Sequence, residues 1–253
     1  MARHLCLDLD NTLIYASADY ALISKLGLDK EENKYLLKRC RLIHIVDPMN
    51  DDPKGGGNIT TLLIIFRPHL FTFLKFAKSY FSKISIWSAG QDRYVRAIES
   101  LLFPQNINSD HKKIPHKIYT FDDCHFLSDG TTFKELSKKH FNLTDTIALD
   151  DRLDTFSKNH ENGILIPEYR PPVTKEGIMA NDDALLKLMD WLLLPEVINA
   201  TDIRKINKDH IFSSPISSPI TPVTPISPIT PIEHIDKNAD NSIVPNNQDT
   251  QNN

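Results

Sequence analysis

Five residues near the N-terminus, Asp8-Leu9-Asp10-Asn11-Thr12, are the first in the chain whose types and spacing could do chemistry. Side chains two apart on a strand project to the same side, so Asp8 and Asp10 can present two carboxylates to one ligand. Such a pair can bind a cation. It also supplies two parts that phosphoryl transfer needs, an in-line nucleophile and a proton donor for the leaving oxygen, together with part of a magnesium site. Alone, the pair has a plain structural reading too: a solvated turn, or a helix N-cap made by Asp10 or Asn11. Three further features stand where the pattern predicts element ends: Ser88, Lys134 and the adjacent carboxylates Asp150 and Asp151. Singly, Ser88 could merely end a strand, Lys134 could be a solvated lysine beside Lys138 and Lys139, and Asp150-Asp151 could cap a helix. Their order after Asp8 and Asp10 favours the chemical reading.

The elements that must position these residues alternate between strand and helix patterns. Residues 4–9 are short and almost wholly apolar, which predicts a strand buried on both faces at the centre of a parallel sheet. Residues 42–46 and 60–66 predict the two strands of a projecting hairpin or flap, separated by Asp51, Asp52, Pro53 and three glycines. Pro68 suits a first helical turn, and Leu70, Phe73, Leu74 and Ala77 continue at helical spacing to about Tyr80. Residues 83–87 read as a second buried strand ending at Ser88, after which Tyr94, Ala97, Ile98, Leu101 and Leu102 line one face of a further helix. A short helix over 133–140 leads into a strand over 146–149, just ahead of Asp150 and Asp151. Residues 163–166 add a short strand and 183–193 an amphipathic helix. The alternation predicts an α/β fold, a Rossmann-like parallel sheet flanked by helices, with its ligand site beyond the carboxyl ends of the strands.

Composition narrows the function classes. With 253 residues the chain can bury one sizeable core, and 29 basic against 33 acidic residues give no global footprint for nucleic acid or an anionic membrane. Cys6, Cys40 and Cys124 are an odd, scattered set, which suits a reducing intracellular compartment and offers no zinc spacing. Neither a signal-peptide layout nor an apolar run long enough to span a bilayer is expected, so the reading is of a soluble, intracellular protein. No cysteine precedes an arginine at the spacing of a cysteine phosphatase, and Gly55-Gly56-Gly57 lacks the Lys-Ser or Lys-Thr of a phosphate loop. Tyr119, Phe121 and Phe126 could wall a substrate proline or simply pack a core.

The order of a double aspartate, a hydroxyl residue, a lysine and a terminal acidic pair resembles the haloacid dehalogenase superfamily of phosphatases. Within it, residues 1 to 170 resemble the RNA polymerase II C-terminal-domain phosphatases, also called NLI-interacting-factor-like phosphatases. The resemblance rests on Leu-Asp-Leu-Asp-Asn-Thr-Leu at 7–13, Arg67-Pro68 and the Phe-Leu-rich stretch after it, Ile-Ser-Ile-Trp-Ser-Ala at 84–89, Phe-Lys-Glu-Leu-Ser at 133–137 and Ala-Leu-Asp-Asp at 148–151. Four positions depart from the family pattern. Asn11 replaces a glutamate, Ser88 replaces a threonine while keeping the hydroxyl, and Arg152-Leu153 follows the acidic pair in place of Ser-Pro. The resemblance implies a Mg²⁺-dependent serine/threonine phosphatase in which Asp8 is the nucleophile that becomes an aspartyl-phosphate. Asp10 would be the general acid and then the base for water, Ser88 and Lys134 would bind the phosphoryl group, and Thr12 would fix the turn. Asp8, Asp10 through its backbone carbonyl, and Asp150 or Asp151 would hold the metal. The implied partner is a phosphorylated Ser/Thr-Pro peptide or protein such as the polymerase tail, with no nucleic acid and no membrane, and a nuclear location follows only from the resemblance. A phosphatase for small esters and a non-catalytic phosphopeptide-binding module are the competing readings. A flap in place of a large helical cap favours the macromolecular substrate.

The domain boundaries expected are 1–195 for the catalytic domain and 196–253 for a disordered tail. Within that tail Ser214, Ser218, Thr221, Thr224, Ser227 and Thr230 each precede a proline. Proline favours extended backbone, so the tract is open to proline-directed kinases, as a phosphosite array or as a competitor for the enzyme's own site. A plain solubilising tail is the alternative.

Overall fold

A computed structural model describes residues 3–47, 58–104 and 115–213 of the chain. Residues 214–253, with every Ser-Pro and Thr-Pro pair of the expected tail, and the tip of the expected flap at 48–57, lie outside the described residues.

The chain opens with β1 (His4–Leu7), turns through the double aspartate into β2 (Ile14–Ser17), and winds α1 (Tyr20–Leu26). The hairpin strands β3 (Cys40–Asp47) and β4 (Asn58–Phe66) come next, and α2 (Leu70–Tyr80) returns the chain to β5 (Lys83–Trp87). After α3 (Asp92–Leu102) come β6 (Lys117–Tyr119), the small antiparallel pair β7 (His125–Phe126) and β8 (Thr132–Phe133), β9 (Thr146–Asp150) and β10 (Gly163–Leu165). Helices α4 (Lys175–Met179), α5 (Ala184–Leu192) and α6 (Pro195–Ile198) follow.

Five strands form a parallel sheet in the order β10-β9-β1-β5-β6, so β1 is central. It pairs Leu5 with Ile84 on one side and Leu7 with Leu149 on the other. Alternation along the strands divides the core. Leu5, Leu7, Ile84, Ile86, Ile147 and Leu149 face one way into the main cluster with Phe73 of α2, Ile98 of α3 and Leu188 of α5. Cys6, Trp87 and Ala148 point the other way, onto Tyr119, Leu136, Phe141 and Phe156. Both faces are covered, which is why the strands read as apolar runs. Between β1 and β9 the strand order reverses direction from the chain's first crossover. That reversal opens a crevice at the strands' carboxyl ends, the ordinary ligand position of such sheets.

The hairpin runs antiparallel over β3 and β4 and is longer than the sequence pattern suggests, and β2 joins it as a third strand in the order β2-β4-β3. β2 and α1 form where the sequence pattern predicts no element, between the first strand and the hairpin. α1 is short, with Asp19 accepting a 3.0 Å bond from Leu22 N–H at its start and Gly27 at φ 56° closing it. The helix expected over 133–140 is a correction. β8 ends at Phe133, Lys134 and Glu135 are non-helical, and only Leu136–Lys139 wind, as a 3-10 turn. The cause is local: Lys134 N–H donates to Thr155 O at 3.0 Å and Lys134 O accepts from Asn159 Nδ2 at 2.9 Å, so its backbone groups are committed outside any helix. Folded chain also continues past the boundary expected at 195, because Val197, Ile203 and Ile211 are buried in the main core. No helix among the described residues is long and apolar enough to cross a membrane.

Candidate active site

Asp8 follows β1 directly, and its N–H donates to Leu149 O at 3.0 Å, continuing the β1–β9 ladder by one residue. Leu9 is fully buried, and both Leu13 and Ile14 donate to its carbonyl, at 2.9 and 3.0 Å. That closes a tight turn in which Asn11 has φ 57°, the left-handed region that asparagine tolerates better than glutamate. Arg67 locks the turn from behind. Its guanidinium is buried, donates to Thr12 O at 2.9 Å and Pro167 O at 2.8 Å, and forms a two-pronged ion pair with Asp182 at 2.8 and 3.0 Å.

The structure brings the sequence-derived residues to one place. Lys134 Nζ donates to Asp8 Oδ1 at 2.7 Å and to Asp150 Oδ2 at 2.6 Å, all three side chains being buried. Asp150 ends β9, and its Oδ1 accepts from the Arg152 N–H at 3.0 Å. Asp151 is half-buried and accepts from Thr12 Oγ1 at 3.2 Å. Ser88 directly follows β5 and is buried, its Oγ donating to Asp10 Oδ2 at 3.5 Å and accepting from Gly90 N–H at 3.0 Å. Asp8, Asp150 and Asp151 each place a carboxylate oxygen within 4.8 Å of the others. Three hard oxygen donors this close fit Mg²⁺, which takes carboxylates and keeps waters. The Asp10 carboxylate stands outside that group, turned toward Ser88 and the Tyr94 hydroxyl, which donates to Asp10 Oδ1.

Four carboxylates face one ammonium, and the ionisation states follow. Burial raises the Asp8 carboxyl well above its usual range, and the negative charges of Asp150 and Asp10 add to this against the pull of Lys134. Burial likewise raises Asp10, opposed by the hydrogen bond from Tyr94, and burial followed by the Asp150 charge raises Asp151. Burial works against the Lys134 charge, but Asp8 and Asp150 outweigh it and hold the amine firmly protonated. The result is a fixed cation beside an excess of negative charge, a setting suited to one more divalent cation and to a phosphoryl group between the two.

Sequence reasoning missed Tyr94, Arg67 and Asn159. The pattern places Tyr94 on an apolar helix face; it sits in the first turn of α3 with its ring against Gly90 of the loop after β5, so its hydroxyl reaches the site while its ring packs. Arg67 belonged to the quoted Arg-Pro signature, yet nothing local tells a buried arginine from a solvated one. Its partner Asp182 lies far along the chain.

The family model described as "NLI interacting factor-like phosphatase" matches residues 3–204. Among solved structures, the chain is similar to the fission yeast RNA polymerase II CTD phosphatase Fcp1, a variant bound to beryllium fluoride, at 18% identity and a TM-score of 0.52 over 76% of this chain and 51% of that one. A second structure of Fcp1, described as an essential RNA polymerase II CTD phosphatase, matches at 20% identity and a TM-score of 0.53 over 82% of this chain and 59% of that one. At these identities the likeness shows the fold, and the chain spans little more than half of either relative. No curated protein matches.

Proposed function

The chain belongs to the NLI interacting factor-like phosphatase family, and from that premise we propose that it hydrolyses phosphoserine or phosphothreonine esters in Ser/Thr-Pro peptides through a covalent aspartyl-phosphate on Asp8. The observation that carries this reading is the buried set of Asp8, Lys134 and Asp150, with Asp10 beside it and turned toward Ser88.

Asp8 Oδ attacks phosphorus in line with the bond to the leaving oxygen. As that bond breaks, Asp10 gives its proton to the departing serine or threonine oxygen, a role that a raised pKa prepares it for. Lys134 and the Ser88 hydroxyl hold the non-transferring oxygens and stabilise the charge that builds on them. Asp10, now ionised, takes a proton from water as the water attacks phosphorus, and the bond to Asp8 breaks to release inorganic phosphate. Asp8, the Asp10 carbonyl and Asp150 or Asp151 would hold Mg²⁺, which when bound supplies further charge neutralisation for the phosphoryl oxygens.

A peptide substrate is supported by the open approach. A cleft of about 690 Å³ lies between the hairpin, which contributes Ile45, Thr60 and Leu62, and the start of α3, which contributes Asp92, Arg93 and Tyr94 with Gln91 just before it. Its apolar hairpin wall suits a proline-containing peptide better than a small polar ester. The relatives named for action on the polymerase tail agree with this choice. The test is Mg²⁺-dependent phosphate release from p-nitrophenyl phosphate and from a phosphorylated Ser-Pro heptad peptide. The peptide should turn over, and both activities should vanish with Asp8→Asn or with chelator. A folded protein inactive on both esters, yet retaining the phosphopeptide, would mark a binding module instead.

A further inference from the structure

We infer that Tyr94 is the positioning residue that makes Asp10 an effective acid, so that the enzyme can expel poor leaving groups such as the serine alkoxide. This rests on the phosphatase reading and concerns the same site.

The Asp10 carboxylate has two oxygens with different neighbours. Oδ1 accepts from the Tyr94 hydroxyl, while Oδ2 accepts from the Ser88 hydroxyl over a longer 3.5 Å. A carboxylic acid carries one proton. The close Tyr94 bond fixes the carboxyl so that Oδ2, the more loosely held oxygen beside Ser88, faces the phosphoryl group and is the one that carries the transferred proton once the Ser88 hydroxyl turns to a phosphoryl oxygen. The balance of the first step then runs through Oδ2 alone. The Asp8 oxygen forms its bond to phosphorus, the phosphorus–oxygen bond of the ester breaks with its electron pair left on the alkoxide, and that oxygen takes the proton from Oδ2. In the second step Oδ2 accepts the proton that water releases as it attacks phosphorus. Tyr94 keeps its own proton throughout.

Tyr94 is held for this task from two sides. Its backbone belongs to the first turn of α3, and its ring lies over the loop after Ser88, where a methyl group on Gly90 would stand 2.7 Å from Tyr94 Cδ1. Only glycine leaves room for the ring in its present place. Tyr94 also lines the cleft with Ile45, Leu62 and Arg93, so a bound peptide would lie against the ring that fixes the acid. Binding energy from the cleft would then act on the chemical step as well as on affinity.

The role predicts a leaving-group signature. Expelling p-nitrophenolate needs little proton assistance, whereas expelling an alkoxide needs nearly a full proton in the transition state. Turnover of the phosphorylated Ser-Pro peptide and of p-nitrophenyl phosphate is measured in wild type, Tyr94→Phe and Gly90→Ala. Tyr94→Phe removes the hydroxyl; Gly90→Ala keeps it but displaces the ring. Each should lower kcat for the peptide at least tenfold more than kcat for the nitrophenyl ester, with KM for the peptide changing by less than the effect on kcat. A variant that merely folds badly loses both activities in the same proportion. Equal losses on the two esters, or no loss on the peptide, would overturn the assignment. A wild type inactive on both would overturn the phosphatase reading first, and this role with it.

Discussion

At the scale of single residues, the site is assembled against the stability of the protein. Three of its carboxyl groups, Asp8, Asp10 and Asp151, are raised above the unperturbed value of 3.8, in each case first by burial. A raised carboxyl holds its proton in the folded chain after the unfolded chain has released it. Folding stability therefore falls as pH rises from the unfolded value through the folded ones. Asp8→Asn removes one of these charges and keeps the shape, while Lys134 retains its ion pair with Asp150. In chelator at pH 7 to 8 we expect Asp8→Asn to melt about 2–4 °C higher than wild type, equivalent to about 1 kcal/mol, with the gap narrowing toward pH 5. A lower melting temperature for the variant at neutral pH would mean that the Asp8–Lys134 attraction outweighs the desolvation of Asp8.

At the scale of elements, one arginine ties four segments together. Arg67, at the junction of β4 and α2, reaches the turn at Thr12, the segment after β10 at Pro167, and Asp182 ahead of α5. Replacing Arg67 by alanine strands the buried acceptors, and we expect a loss of about 3–5 kcal/mol. Asp182→Asn leaves a partner in place at a partly exposed position and should lose only about 1 kcal/mol. Urea midpoints of the two variants measure both, and equal effects would mean that the ion pair alone matters. The elements also show what the sequence exposes to reading. β1, β5 and β9 are legible because both faces are buried and their residues are mostly apolar, with Ser85 the one polar residue inside β5, and each leads into the residues that the chemistry needs. β2 is four residues long and finds its pairing only with β4, and Lys134 sits on a loop shaped by Thr155 and Asn159, which no local pattern reveals. Tyr94 was visible as a helical position but not as a hydroxyl aimed at Asp10, since that depends on where α3 begins relative to β5.

At the scale of the whole molecule, the two ends of the described chain hold each other. Arg3 is buried and donates to the Tyr80 hydroxyl at 3.1 Å and to the carbonyls of Ile198 and Ala200, each at 3.3 Å. Val197, Ile203 and Ile211 complete the core that α2 and α5 share. A chain ending at 195 removes three buried apolar side chains and the carbonyl partners of Arg3, and should lose at least about 4 kcal/mol or fail to fold. A stable, active 1–195 fragment would show that the segment after α5 is dispensable.

The central claim is that Asp8 carries the phosphoryl group between substrate and water. Its most direct test is rapid acid quench of the enzyme turning over phosphorylated Ser-Pro peptide, followed by proteolysis and mass spectrometry of the peptide spanning residues 4–13. The account predicts phosphate covalently attached at Asp8, present during turnover, gone after substrate is exhausted and absent in Asp8→Asn. Phosphate found on another residue, or turnover that persists in Asp8→Asn, would contradict it.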